Sequence, residues 1–123
     1  MKYNIKLKTE SDIKILRESG RRLSAVLTAV SKEVKPGVST KYLNDFVYKM
    51  ITDMGDKPAF LNYQPFGASY PYPGSICISV NEEVVHGIGS EDHILEEGDI
   101  VGLDGGVNHK GMISDSARTV AVG

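Results

Sequence analysis

The sequence predicts an α+β fold, two helices packed on an antiparallel β-sheet, and three observations carry that prediction. Apolar residues recur at helical spacing through two stretches of the first half of the chain. Short alternating apolar runs separated by turn chemistry fill the second half. Between them lies a proline-rich segment that neither a helix nor a central strand tolerates. A chain of 123 residues is long enough to bury a core and fits one domain, 1–123.

Residues 2–8 alternate weakly and suit a short strand or an arm. Thr9 has the chemistry of a helix N-cap, with Glu10 and Asp12 placed where carboxylates favour the positive end of the helix dipole. Ile13, Leu16, Leu23, Val26, Leu27, Val30 and Val34 follow at helical spacing, so a helix is expected from about residue 10 to 33. Gly20 falls in that stripe, where a missing side chain would admit a close neighbour. Pro36-Gly37 ends the helix, and Thr40 is the expected next cap. Leu43, Phe46, Val47, Met50, Ile51 and Met54 form a second apolar stripe that closes at Gly55. Methionines at this spacing are read as core filler.

Pro58, Pro65, Pro71 and Pro73 interleave with Phe60, Tyr63, Phe66, Tyr70 and Tyr72, which predicts a long loop over 57–75. Its aromatic rings either wall an apolar pocket or pack down over the sheet. Ile76, Ile78 and Val80 then alternate as in a strand. Asn81-Glu82-Glu83 supplies a turn before Val84-Val85-His86-Gly87-Ile88, completing a first hairpin. Cys77, the single cysteine, excludes an internal disulfide and is read as a small buried hydrophobe. Residues 89–99 are polar with acidic weighting and read as a solvated connection.

A second hairpin runs from Ile100 to Val122. With a tip at His109-Lys110, or a wider one from Asn108 to Gly111, Asp104 and Asp115 face each other directly. Like charges so placed destabilise a sheet, and a cation between them removes the problem. Carboxylate oxygens suit divalent cations, and two facing aspartates can bridge a pair of them. Two ligands do not complete such a site. His86, expected in a strand beside this hairpin, reads either as a packed residue or as a proton donor near a metal-activated water. His93, in the polar connection, and His109, at the turn tip, read as solvated.

Fourteen basic and sixteen acidic residues give a net charge of -2 without any basic block, which argues against nucleic acid and acidic membrane as partners. No apolar run approaches the ~20 residues of a membrane span, and the first residues lack the apolar core of a secretory signal, so a cytoplasmic protein is expected.

The set Lys35-Pro36-Gly37-Val38-Ser39-Thr40, Asn62-Tyr63, Ser75 to Glu82, Val84 to Ile88, Gly98-Asp99-Ile100-Val101, Asp104 and Asp115 to Thr119 resembles the N-terminal half of type I methionine aminopeptidases. The resemblance implies the pita-bread fold, in which two similar halves enclose a dinuclear metal centre. It implies two divalent ions in the complete site (cobalt, manganese, iron or zinc), with Asp104 and Asp115 as ligands and Asp115 bridging. It further implies that His86 contacts the substrate near the scissile bond, and that Phe60, Tyr63 and Tyr72 lie near the pocket for the initiator methionine. The substrate would be a peptide or nascent-protein N-terminus. Two departures stand out. The remaining ligands of the family, one histidine and two glutamates, belong to a C-terminal half, so a complementary half or a homodimer is expected to complete the site. The loop from Gln64 to Tyr70 is also longer than in the shorter bacterial members, and Gly105-Gly106 replaces a bulkier pair common after the first aspartate; Phe60, among the pocket residues, stands where many members carry a small or sulfur-bearing residue. A non-catalytic peptide-binding module and a proline-directed peptidase are the competing readings.

Overall fold

The computed structural model describes residues 7–64, 71–83 and 88–123. Helix α1 spans Glu10–Ser31, and Thr9 caps it as expected. The Thr9 hydroxyl accepts from the Asp12 amide at 3.1 Å, and the Asp12 carboxylate accepts from the Thr9 amide at 3.0 Å. This reciprocal capping box satisfies two of the donors that a helix start leaves open. Helix α2 spans Thr40–Asp53, but its cap is Ser39, whose hydroxyl accepts from Tyr42 at 3.0 Å. Thr40 is the first helical residue. Its hydroxyl accepts from the Ser90 amide at 2.8 Å and ties the helix to the later connection.

Four strands form one antiparallel sheet: β1 (Lys57–Pro58), β2 (Ile76–Val80), β3 (Ile100–His109) and β4 (Met112–Ala121). β3 is central, with β1 and β2 end to end along one edge and β4 along the other. The two-residue β1 is a departure from the expected loop, with Pro58 in an edge strand where its missing N–H costs no ladder bond. The expected strand or arm at the start lies largely in 1–6. Part of the long loop lies in 65–70, and most of the return strand of the first hairpin, including His86, in 84–87. All of these fall outside the described residues.

The core fills the space between the helical pair and one sheet face. Leu23, Val26, Leu27 and Val30 of α1 and Leu43, Val47 and Ile51 of α2 meet Ile76, Ile78, Val101, Leu103 and Val107. Met50 and Met54 pack against this cluster, as their spacing predicts. Leu95, within the connection expected to be solvated, is buried beneath an isolated bridge between Ser39 and Ile94. Gly20 meets nothing within 4 Å of where a side chain would begin, so it is not the point of close approach. Its neighbour Ser19 is. Fully buried, its Oγ lies 3.1 Å from the Val107 carbonyl, 3.0 Å from that of Met112 and 2.9 Å from Ser114 Oγ, pinning α1 to both strands of the hairpin.

His109 corrects the expectation of a solvated turn residue. It ends β3, is buried, and its Nδ1 lies 2.7 Å from the Asp56 carboxylate. Arg22 of α1 donates to the other Asp56 oxygen at 3.0 Å and to Glu18 at 3.0 Å. A helix, the segment after α2 and the hairpin end thus meet in one charged network. A strand-end histidine is buried here because a carboxylate waits for it, which the local sequence does not reveal.

Candidate metal centre

The β3–β4 turn is Lys110-Gly111, with φ of 50° and 85°. Positive φ at both central positions is the type I′ geometry that matches strand twist, and glycine at the second position makes it inexpensive. Asn108 closes the turn by accepting from the Gly111 amide at 3.0 Å. This tip sets the register two residues away from the expected one. Asp104 pairs with Ala117, and Asp115 pairs with Gly106. The two aspartates are therefore diagonal rather than directly opposed. They remain on one face, because a shift of two residues preserves the alternation of side chains that a shift of one would reverse. Diagonal neighbours stand about 7–8 Å apart, within reach of one another through a shared cation.

That face points away from the helices. Leu103 and Val107, on the opposite parity of β3, are buried in the core, whereas Asp104 is half-buried and Asp115 is exposed. Cys77 pairs with Asp104 in the β2–β3 ladder and so shares its face. It is buried as predicted, but beside the aspartate rather than in the helix-facing core. Tyr72 belongs to the same group. Its hydroxyl donates to the Ile76 carbonyl at 3.1 Å. Burial pushes this phenol well above its ordinary pKa, and a hydrogen bond with Cys77 and the Asp104 charge push the same way. Tyr72 thus stays neutral and fixed.

Phe60 meets Tyr72 edge-on, ring centroids 6.5 Å apart and planes at 85°. The strands of chain on which they lie are tied by two backbone bonds, Asn62 N to Tyr72 O at 2.8 Å and Tyr72 N to Tyr63 O at 2.7 Å. Of the two readings of the loop aromatics, the structure bears out packing over the sheet: Phe60 Cε1 lies 3.1 Å from where a Cβ on Gly106 would stand, and Tyr72 bonds the end of β2, so both rings cover the aspartate face. Tyr63 is 61% exposed and stands at its rim. The structure therefore brings together Asp104, Asp115, Phe60 and Tyr72, adds Cys77 and Gly106, and leaves Tyr63 outermost.

The donor set fits part of a divalent-cation site. Two hard carboxylates share a face, and Gly106, across from Asp115 and two residues beyond Asp104, has no side chain to stand between them. Among the described residues, no group of three or more histidine, cysteine, aspartate or glutamate side chains converges. A cation here would need further ligands.

An outer helical pair and an inner sheet face carrying two diagonal aspartates describe one half of the pita-bread fold of metallopeptidases. Residues 14–123 match metallopeptidase family M24, and the chain belongs to that family. It is 40% identical over 119 residues to a methionine aminopeptidase of Aquifex aeolicus, covering 97% of this chain and 46% of the relative. A crystal structure of methionine aminopeptidase from Rickettsia prowazekii superposes with a TM-score of 0.88 at 38% identity, over 98% of this chain and 46% of that one. An Xaa-Pro dipeptidase from Bacillus anthracis superposes with a TM-score of 0.75 at 30% identity, over 94% of this chain and 29% of that one. The chain spans about half the length of the curated relatives it matches.

Proposed function

We propose that this chain supplies the N-terminal half of a methionine aminopeptidase site, acting in the cytoplasm on peptide and nascent-protein N-termini. The observation that carries the reading is the pair Asp104 and Asp115, diagonal on one open sheet face beside an aromatic wall. The 40% identity to methionine aminopeptidases over almost the whole chain supports it. Among the described residues no helix is long and apolar enough to cross a membrane.

Asp104 and Asp115 would hold divalent cations through their carboxylate oxygens. When bound, the cations supply Lewis acidity at the scissile peptide bond. Tyr72, fixed by its bond to Ile76 and kept neutral, and Phe60 bound the space for the first side chain of the substrate, with Tyr63 at the rim. His86, outside the described residues, is assigned to stabilise the transition state near the scissile bond. The remaining metal ligands come from a complementary C-terminal half or from a second copy of this chain.

Calorimetric titration of the chain with manganese tests the half-site. Binding that is lost on Asp104→Asn and on Asp115→Asn is expected. Hydrolysis of a Met-Ala peptide is expected when a C-terminal half is added, whereas hydrolysis by the chain alone would assign the remaining ligands to a second copy. Peptide binding without any metal binding would instead favour a non-catalytic module. Preference for Xaa-Pro peptides in the completed assembly would favour the proline-directed relatives.

A further inference from the structure

Away from the two aspartates, the end of the sheet holds a cleft of about 520 Å³. Arg22 of α1 lines it, with Asp56 and Lys57 from the segment after α2 and Asn108, His109 and Lys110 from the end of the hairpin. None of these residues belongs to the group around Asp104 and Asp115. Clefts of this size commonly receive small molecules.

The polar groups of the cleft are unequally committed. Asp56 is its one carboxylate, and both oxygens are engaged by donors, one by His109 Nδ1 at 2.7 Å and the other by Arg22 at 3.0 Å. The cations outnumber it. Lys57 and Lys110 are exposed, and among the described residues no hydrogen bond or ion pair engages either ammonium. Three cations against one occupied carboxylate leave the cleft positive. The C-terminal end of α2 opposes this with the negative end of its dipole. Arg22 covers that end by donating to the Met54 carbonyl at 3.1 Å.

His109 is an independent sign of a ligand. Its side chain is 7% exposed and its Nδ1 is held by Asp56, yet among the described residues no hydrogen bond reaches Nε2. Among those residues no buried side-chain polar atom is sealed without a partner, so Nε2 opens onto the cleft that His109 lines. With Nδ1–H turned to Asp56, Nε2 accepts from a P–OH group when the ring is neutral and donates to an anionic oxygen when it is protonated. A carboxylate uses only the second of these. A phosphoryl group uses both, and its three terminal oxygens suit donors that come from three different elements.

We propose that this cleft binds the phosphoryl group of a small phosphate monoester, with His109 Nε2, Arg22, Lys57 and Lys110 around it. A bare phosphate ion would occupy little of the volume, and Met54 at the wall offers apolar surface to the organic part of a monoester. The site is independent of the aminopeptidase reading, because it shares no residue with the proposed metal centre.

The test titrates the full chain with glycerol 3-phosphate, inorganic phosphate and sodium acetate at equal ionic strength. EDTA keeps metal from the aspartates, and the His109 ring and Gly111 amide signals are followed by NMR. Glycerol 3-phosphate is expected to shift both signals saturably and to bind more tightly than phosphate, with acetate weakest. The double substitution Lys57→Gln and Lys110→Gln should weaken glycerol 3-phosphate roughly tenfold, the scale of two exposed charge contacts. Both lysines are exposed and outside the Asp56 network, so the urea midpoint should not move. His109→Gln should weaken binding as well, and the lysine variant carries the test should His109→Gln fail to fold. Signals that do not respond to glycerol 3-phosphate, or an affinity unmoved by the lysine substitutions, overturn the site. Acetate binding as tightly as the monoester overturns its phosphoryl chemistry, and phosphate binding more tightly than the monoester overturns the assignment of an organic ligand.

Discussion

Asp56 and Asp115 carry the same carboxylate on opposite sides of one sheet, and the protein treats them differently. Asp56 is buried on the helix side, with Arg22 at 3.0 Å and His109 at 2.7 Å. Asp115 is exposed on the other side, and among the described residues no hydrogen bond or ion pair reaches it. A buried charge must be countered within the fold, or it would not be buried. An open one can keep its lone pairs for a ligand. The difference separates a face built for stability from one built for binding, and each prediction below tests that separation.

The largest effect is expected at the closed face. Leu103→Ala removes a fully buried side chain immediately before Asp104 and should cost about 2–5 kcal/mol in urea unfolding. Asp56→Ala should cost roughly 3 kcal/mol, because Arg22 and His109 lose a buried partner together. If Asp56→Ala proves neutral, the network is dispensable and the comparison fails at its closed side.

Glu18 offers a finer test by pH. Hydrogen bonds from Arg21 and then Arg22 lower its carboxyl pKa from 4.5 to about 2. A depressed carboxylate contributes stability that is present above its unfolded pKa and lost as pH falls through the folded value. The gap in thermal midpoint between wild type and Glu18→Gln should therefore hold at neutral pH and shrink between about pH 4.5 and pH 2. Because Glu18 is on the surface, the gap should be small and should diminish in high salt. The smallest stability change belongs to the open face. Asp115→Asn should leave the urea midpoint within about 0.5 kcal/mol of wild type, since an exposed side chain without partners is replaced. A large loss of stability there would show Asp115 to be structural after all.

Much of the architecture was legible in the residues alone. The helical spacing from Ile13 to Val30 and from Leu43 to Ile51 located both helices, and Thr9 with Asp12 located a start. The turn chemistry was less legible. Placing the tip at His109-Lys110 overlooked that Gly111 takes positive φ more readily than His109 would, and the true tip moved the pairing by two residues. Cys77 was read correctly as buried but not as a neighbour of Asp104. An apolar run around a cysteine says nothing about which face each member takes until a register exists.

The sequence by itself determined the parity of the sheet. Alternation places Asp104 and Asp115 on the face that Leu103 and Val107 do not use, and any register of even offset keeps them there. It determined the family as well, through residues spread along nearly the whole chain. Tertiary structure decided the distances. Whether the aspartates stand opposed or diagonal depends on the tip of the hairpin. The burial of His109 depends on a carboxylate far away in sequence, and the place of the Phe60 ring depends on a glycine that only folding sets beside it. Periodicity is a local property of the chain and can be read from it, whereas register and packing arise from groups that meet only once the chain has closed on itself.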